Sequence, residues 1–324
     1  MYKGKQRGED DEQTRLLFFL RKTTNEDFTH MYFVKKGVWM VFSQSKTYIL
    51  KEFPSTAYLN NQLRLTERLH DHSFTFTYQF HPFHHDHSFE FDKKVYGLID
   101  YIKPSALTQT YSSSAFRKEA LMLLKAYHYT TGHFSEEFKP YLPVFCQMVK
   151  WQQRLKEFKI HLSDLQAFVP AWMLTYYVSW SEWSLEKIKP VGGLLKARPH
   201  CIIHGDVAHH NFLKGEDKKL YLIDFDLISL APEIIDDLQF SNRILPYLSW
   251  SLEQLFEYPP LKKYRNSEDF LHALIFPTDV LREWNRFFKS PPQVQKEQWS
   301  YINDLTVTQF PKRKAFVERV LQTL

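Results

Sequence analysis

The chain has 324 residues, 44% apolar and 24% charged, with a formal net charge of +5, which suits a soluble protein of one large or two medium domains. The positive excess is small and spread along the chain, so a nucleic-acid surface is not implied, while small anionic substrates stay compatible. Cys146 and Cys201 are the only cysteines and sit in apolar surroundings, which argues against a disulfide framework and for a reducing, cytoplasmic compartment; the N-terminus lacks an apolar leader, and the uncharged stretch from Leu165 to Ser181 falls short of the ~18 apolar residues of a membrane span.

Residues 1–12 read as disordered, with Glu9 to Glu12 as solvated charge, and Gln13 to Lys22 as a short helix carrying Leu16, Leu17 and Leu20 on one side. From Thr29 the period changes to two. Tyr32 and Val34, then Val38, Met40 and Phe42, then Tyr48 and Leu50 alternate as strand residues do, which predicts an antiparallel meander ending in Lys51. Gly37 is the only glycine between Gly8 and Gly97, so no glycine-rich phosphate loop is present; the backbone amides of the Ser43–Lys46 turn are the candidate anion contact. A helix follows over Thr56 to His70. Its side chain facing Lys51 is Gln62 in the favoured register and Glu67 in the alternative one.

His81, His84, His85 and His87, with His70 and His72 upstream, invite a metal reading. The alternation of Phe74 to Phe80 and the apolar run from Phe89 to Tyr101 instead suggest two strands flanking a solvated loop. Val95 to Pro104 closes the sheet. Beyond Pro104 the pattern is helical, with His128 in a helix and Trp151, Trp172, Tyr176, Tyr177, Trp180 and Trp183 in aromatic stripes that read as core rather than as a cation-binding box.

The most informative stretch is Cys201-Ile-Ile-His204-Gly205-Asp206, then Asn211, then Leu220-Tyr-Leu-Ile-Asp224-Phe225-Asp226. If its two short apolar strands pair about a turn centred near Asp217, Asn211 and Asp224 lie roughly opposite each other, about 5 Å apart. One divalent cation would bridge them, with Asp206 facing the same spot. Two carboxylates and an amide oxygen are hard donors suited to magnesium. A metal hydrolase using His204, Asp206, His209 and His210 would leave Ile223 to Asp226 unexplained.

His204-Gly205-Asp206, Asn211 and Ile223-Asp224-Phe225-Asp226 together resemble the aminoglycoside phosphotransferase and choline kinase superfamily, whose loops read His-Gly-Asp-x-x-x-x-Asn and Ile-Asp-Phe/Trp-Asp/Glu. The resemblance implies a two-lobed, protein-kinase-like α+β fold: a five-stranded antiparallel sheet with one helix over residues 1–103 and a mainly helical lobe over 104–324. It also implies ATP and Mg²⁺ as cofactors. Asp206 would be the catalytic base, Asn211 and Asp224 the metal ligands, and Lys51 the grip on the α and β phosphates, with Gln62 beside it. The backbone at Asp100 and Ile102 would meet the adenine edge, and Asp237, in Ala231-Pro-Glu-Ile-Ile-Asp-Asp-Leu238, would anchor the catalytic loop. Implied partners are a nucleotide and a small-molecule hydroxyl acceptor. The segment from Gly37 to Lys51 further resembles the bacterial spore-coat branch of the CotS type, which adds spore-coat proteins as partners and the coat as a location. The reading of function is therefore phosphotransferase, the alternative being a catalytically silent kinase fold that serves as a structural coat component.

Overall fold

A computed structural model of the chain describes residues 4–24, 26–81, 89–107, 109–188, 193, 195 and 200–324. In chain order, α1 (Gly4–Thr23) precedes β1 (Phe28–Lys35), β2 (Val38–Ser43) and β3 (Thr47–Phe53). Then come α2 (Thr56–Asp71), β4 (Phe80–His81), β5 (Phe89–Phe91) and β6 (Lys94–Asp100). The helical region opens with α3 (Ser114–Gly132), α4 (Gln147–Ile160), the four-residue α5 (Leu162–Leu165) and α6 (Ala171–Lys187). Four short strands follow: β7 (Cys201–Ile203), β8 (Phe212–Lys214), β9 (Leu220–Leu222) and β10 (Ser229–Ala231). The chain ends with α7 (Ile234–Ile244), α8 (Leu252–Leu255), α9 (Glu268–Ile275), α10 (Thr278–Lys289), α11 (Pro292–Asn303) and α12 (Phe310–Thr323). Among the described residues no helix is long and apolar enough to cross a membrane.

Two compact units result, one of residues 1–108 with 211–226 and the other of 109–210 with 227–324. The boundary read at Lys103–Pro104 lies near the end of the first stretch. The β8–β9 hairpin, read with the helical lobe, clusters with the first unit.

The first unit is built on an antiparallel sheet of order β1-β2-β3-β6-β4, with β5 also paired to β6. It has six strands where five were expected. Phe80 pairs with Ile99 and Phe89 with Tyr96, so β4 and β5 lie along β6 in two registers, one on each side of the undescribed residues 82–88. His84, His85 and His87 of the histidine tract lie outside the described residues. Helix α1 also differs from expectation, running from Gly4 rather than Gln13. Lys94 Nζ donates to Glu12 Oε1 at 2.7 Å, which ties the helix to β6 and gives order to a stretch whose charge alone suggested none.

Strand alternation sorts the sheet's two faces. Tyr48 and Leu50 turn to one face and pack with Leu16 and Leu20 of α1, Phe28, Met31, Trp39 and Val41. Ile49 and Lys51 turn to the other. Lys51 pairs with Gly97 across the sheet, and a Cβ on Gly97 would come within 2.9 Å of Leu59 Cδ1 on α2. Helix α2, capped by Ser55 accepting from the Tyr58 N–H, therefore covers the face that carries Lys51.

The second unit is helical around a core rich in aromatic rings. Trp151 stacks on Phe276 at 4.2 Å and Trp180 on Phe310 at 5.6 Å, while the Tyr177 hydroxyl donates to the Thr306 carbonyl at 2.6 Å. These rings pack into the core; Trp172 stays more than half exposed. The small ladder of β7 with β10 delivers the loop that begins at His204.

Candidate active site

In the first unit, β8 and β9 pair as Phe212 with Leu222 and Lys214 with Leu220, which centres the turn on Asp217 as the spacing predicts. The register sets Ile223, not Asp224, opposite Asn211, and the Ile223 N–H donates to the Asn211 carbonyl at 3.0 Å. Asp224 is thus one residue further out than a facing pair would place it. It takes a left-handed backbone, φ 68°, which a short polar side chain tolerates better than most. Phe225 is fully buried beside Tyr78, ring centroids 5.6 Å apart, so the turn directs Asp224 and Asp226 together toward β3.

There Lys51 Nζ donates to Asp224 Oδ1 at 2.9 Å and to Asp226 Oδ1 at 2.7 Å. Burial works against the Lys51 charge, but the two carboxylates outweigh it and hold its pKa above the ordinary lysine value. Burial likewise pushes Asp224 up, and attraction and hydrogen bonding from Lys51 pull it net below the usual carboxylate range. Gln62, buried on α2, donates to Asp226 Oδ1 at 2.7 Å and accepts from the Tyr78 hydroxyl at 3.2 Å. Glu67 is exposed. Gln62 thus faces this cluster as the favoured register has it, but its partner is Asp226 rather than Lys51. The Tyr58 hydroxyl donates to the Asp226 carbonyl.

Lys51, Asp224 and Asp226 border a cavity of about 550 Å³ that is also lined by Asp100, Tyr101 and Ile102. Its remaining wall includes Lys35, Lys36 and Gly37 from the β1–β2 turn. The turn named from sequence, Ser43 to Lys46, is absent from that wall. Ser43 Oγ accepts from its own turn's N–H groups at Ser45 and Lys46, so those amides serve the hairpin itself. Gly37 takes the positive φ of 74° that the tight β1–β2 turn needs. A Lys-Lys-Gly between two alternating runs was the available signal for this loop.

In the second unit, the His204–Val207 segment is held by one face of α7. Asp236 accepts from the N–H groups of His204 (2.7 Å) and Gly205 (3.0 Å), and from His128 Nε2 at 2.9 Å. Gln239 accepts from the Val207 N–H at 2.8 Å and donates to the Gly205 carbonyl at 2.9 Å. Arg243 donates to Asp206 Oδ1 at 2.6 Å. Positions 236, 239 and 243 share one helical stripe. Asp237, the expected anchor, points elsewhere on the helix and accepts from the Tyr264 hydroxyl at 2.8 Å. His204 is fully buried behind the loop and accepts from the Asp206 N–H through Nδ1 at 3.3 Å. Gly205 has φ 79°, and a Cβ there would stand 2.4 Å from the Leu227 carbonyl.

Glu233, just before α7, accepts from Lys125 and Lys263. Burial pushes its pKa up, but these two hydrogen bonds outweigh it and leave it at about 2, against an ordinary 4.5. A folded-state pKa below the unfolded value contributes stability that is complete above the unfolded pKa and disappears as pH falls through the folded one. Glu233→Gln therefore lowers the melting temperature at pH 7, and the gap to the parent chain closes between about pH 4.5 and about 2. Melting curves across that range check it; a gap independent of pH would rule the linkage out.

Chemically, the first unit offers a cation and two carboxylates at the mouth of a cavity, with side-chain oxygens that can hold a hard divalent cation. The second offers a carboxylate, Asp206, oriented by an arginine. The sequence matches the phosphotransferase enzyme family, APH, over residues 26–237. No curated protein sequence matches the chain. An aminoglycoside phosphotransferase from Alicyclobacillus acidocaldarius superposes with a TM-score of 0.73 at 15% identity, over 93% of this chain and 94% of that one. A spectinomycin phosphotransferase solved with ADP and spectinomycin gives 0.64 at 16% identity, over 96% and 98% of the two chains. The choline kinase LicA from Streptococcus pneumoniae gives 0.53 at 15%, over 97% and 99%. At these identities the likeness is one of fold: the kinase-like arrangement of an antiparallel N-terminal sheet and a helical C-terminal region. With a sequence match that runs through more than half of its length, from β1 to α7, the chain belongs to the phosphotransferase enzyme family.

Proposed function

We propose that the chain is an ATP-dependent phosphotransferase that delivers the γ-phosphate to a hydroxyl group of a small molecule, and that it falls in the CotS-type, spore-coat branch of its family. The observation that carries the reading is Lys51 held between Asp224 and Asp226 on the wall of a nucleotide-sized cavity. Phosphoryl transfer asks an enzyme chiefly for positioning and charge neutralisation, and these residue types supply both. Lys51 would grip the α and β phosphates, the β1–β2 turn with Lys35 and Lys36 would approach them, and the backbone at Asp100 and Ile102 would meet the adenine edge. Among the described residues, Ile102's N–H donates to no backbone carbonyl, as a group reserved for a base edge should.

The donor set fits magnesium. Asp224 and Asp226 offer carboxylates on side chains that are 31% and 42% exposed, and Asn211 a buried amide at the end of the same hairpin. Asp224 and Asn211 would hold the ion, which when bound neutralises charge on the phosphate oxygens. Asp206 would take the proton of the acceptor hydroxyl, its carboxylate set in one orientation by Arg243.

Asp206→Asn keeps the shape and removes the base. Activity should fall by about 10²–10⁴-fold while the rise in melting temperature produced by ATP and Mg²⁺ persists. Undiminished turnover of an acceptor by the Asn variant would defeat the assignment. One observation favours the silent-scaffold reading: Gln62 is neutral and bonds Asp226, so among the described residues no helical carboxylate pairs with Lys51. The two readings separate on a single measurement. A phosphotransferase is stabilised by millimolar ATP with Mg²⁺ in proportion to affinity and concentration, and a scaffold without a nucleotide site is not.

A further inference from the structure

A second cavity, of about 380 Å³, lies wholly within the helical unit, and Asp206 forms part of its wall. Its charge is one-sided. Lys150 and Arg154 come from α4, Arg243 from α7, Arg282 and Arg286 from α10; the carboxylates are Asp206 and Glu283 alone. Both carboxylates are already engaged, Asp206 by Arg243 at 2.6 Å and Glu283 by Arg282 at 2.7 Å. Among the described residues, Lys150, Arg154 and Arg286 have no carboxylate in ion-pair contact; Asp279, Glu283 and Glu157 act on Arg154, and Asp206 and Asp236 on Lys150, only from further off and do not offset burial and the neighbouring cations. Arg154 instead donates to the Thr278 carbonyl at 3.2 Å and to its hydroxyl.

These cations strain against one another. Burial, and then Arg282, push Arg154 down to about 10, and burial followed by Arg154 and Arg282 push Lys150 down. The positions are nonetheless built in: Lys150 and Arg154, like Arg282 and Arg286, stand four apart on their helices, and Asn285 of α10 donates to the Arg154 carbonyl at 2.9 Å, locking the two helices together. A neighbouring cavity of about 360 Å³ shares Lys150, Arg154, Arg282 and Arg286, so the same four cations face both hollows; the Lys289 and Glu157 it adds are paired with each other. Assembling like charges in a concave site is unfavourable unless a ligand supplies the opposite sign.

We infer that the hydroxyl compound this site accepts is itself an anion: an alcohol carrying a phosphate or carboxylate group, which Arg154, Arg282, Arg286 and Lys150 bind while its hydroxyl meets Asp206. This rests on the phosphotransferase reading for the role of Asp206, but the anion preference of the cavity does not. It sets the chain apart from enzymes that act on cationic acceptors such as choline, for which this wall would be repulsive.

The test titrates the full chain, without nucleotide, with glycerol 3-phosphate, glucose 6-phosphate and gluconate, with the neutral parents glycerol and glucose, and with choline and spectinomycin, followed by calorimetry. The oxyanion compounds should bind at least about tenfold more tightly than their neutral parents, weaken with added salt, and lose about tenfold or more in Lys150→Glu and Arg286→Glu. Both residues reach solvent even though the Lys150 ammonium is partly desolvated, so the variants should fold. The phosphate and carboxylate arms tell which oxyanion the wall prefers. Equal binding of neutral or cationic compounds, unchanged anion affinity in the variants, or no binding of any oxyanion compound at 10 mM (about the concentration where a millimolar site is saturated) would each overturn the inference. A second readout follows ATP consumption with Mg²⁺ and the same compounds. Anion binding without nucleotide stabilisation or turnover would sink the phosphotransferase reading and leave the anion site standing. Phosphorylation of choline or spectinomycin in preference to the anions would do the reverse.

Discussion

Asp236→Asn should destabilise the helical unit by about 3–5 kcal/mol, the range for breaking a buried charged hydrogen-bond cluster by removing one member. Asp236 is fully buried and receives three donors: His128 Nε2, the His204 N–H and the Gly205 N–H. Burial pushes its pKa up, but these partners, His128 foremost, hold it below the usual carboxylate range. An amide in its place keeps one acceptor oxygen and turns an NH₂ toward a donor, whichever way it is flipped. At least one buried donor then loses its acceptor. The neighbouring Asp237→Asn should cost about 1 kcal/mol or less, because its amide oxygen still accepts from Tyr264 and its carboxyl is already pushed up by burial. Urea unfolding of the two variants side by side checks this. Equal losses would mean that the helix face has been misread.

Gly205→Ala should have the second large effect. The left-handed backbone at φ 79° costs a side chain about 1–2 kcal/mol. The added methyl also stands 2.4 Å from the Leu227 carbonyl, a backbone atom that cannot rotate away, and forcing such a contact adds about 1–3 kcal/mol. The loop will relieve this by shifting, and Asp206 is the next residue. Turnover should therefore fall more than stability alone accounts for, with nucleotide binding unchanged. Nucleotide-dependent melting combined with turnover separates the two effects. Normal turnover in an Ala variant of full stability would mean that the loop's path is not fixed by this glycine.

The parts of this molecule legible from sequence are those whose signal is local. The β8–β9 hairpin and its turn followed from two apolar triplets about a charged turn, although the facing pair was read one residue off, and the strand that carries Lys51 followed from a period-two run. What escaped depends on direction rather than composition. Asp236 and Asp237 are neighbours in sequence but about 100° apart around a helix, and only the packing of α7 shows which one meets the loop. The Ser43–Lys46 turn looked suitable for phosphate until its amides proved committed to Ser43 Oγ. Lys150, Arg154, Arg282 and Arg286 each carry a visible spacing of four, yet nothing local says that α4 and α10 meet. The sixth strand was hidden because the apolar run from Phe89 to Tyr101, read as one strand, folds back on itself at Asp92–Lys93 into β5 and β6.

The attachment of the His204–Val207 segment to residues 236, 239 and 243 has a consequence for how this protein can change over generations. Three handholds on a single rigid rod cannot drift independently, since a small roll of the rod displaces all of them at once. Lineages that alter one should carry matched changes at the others and at Glu233, whose two lysines steady the rod's near end.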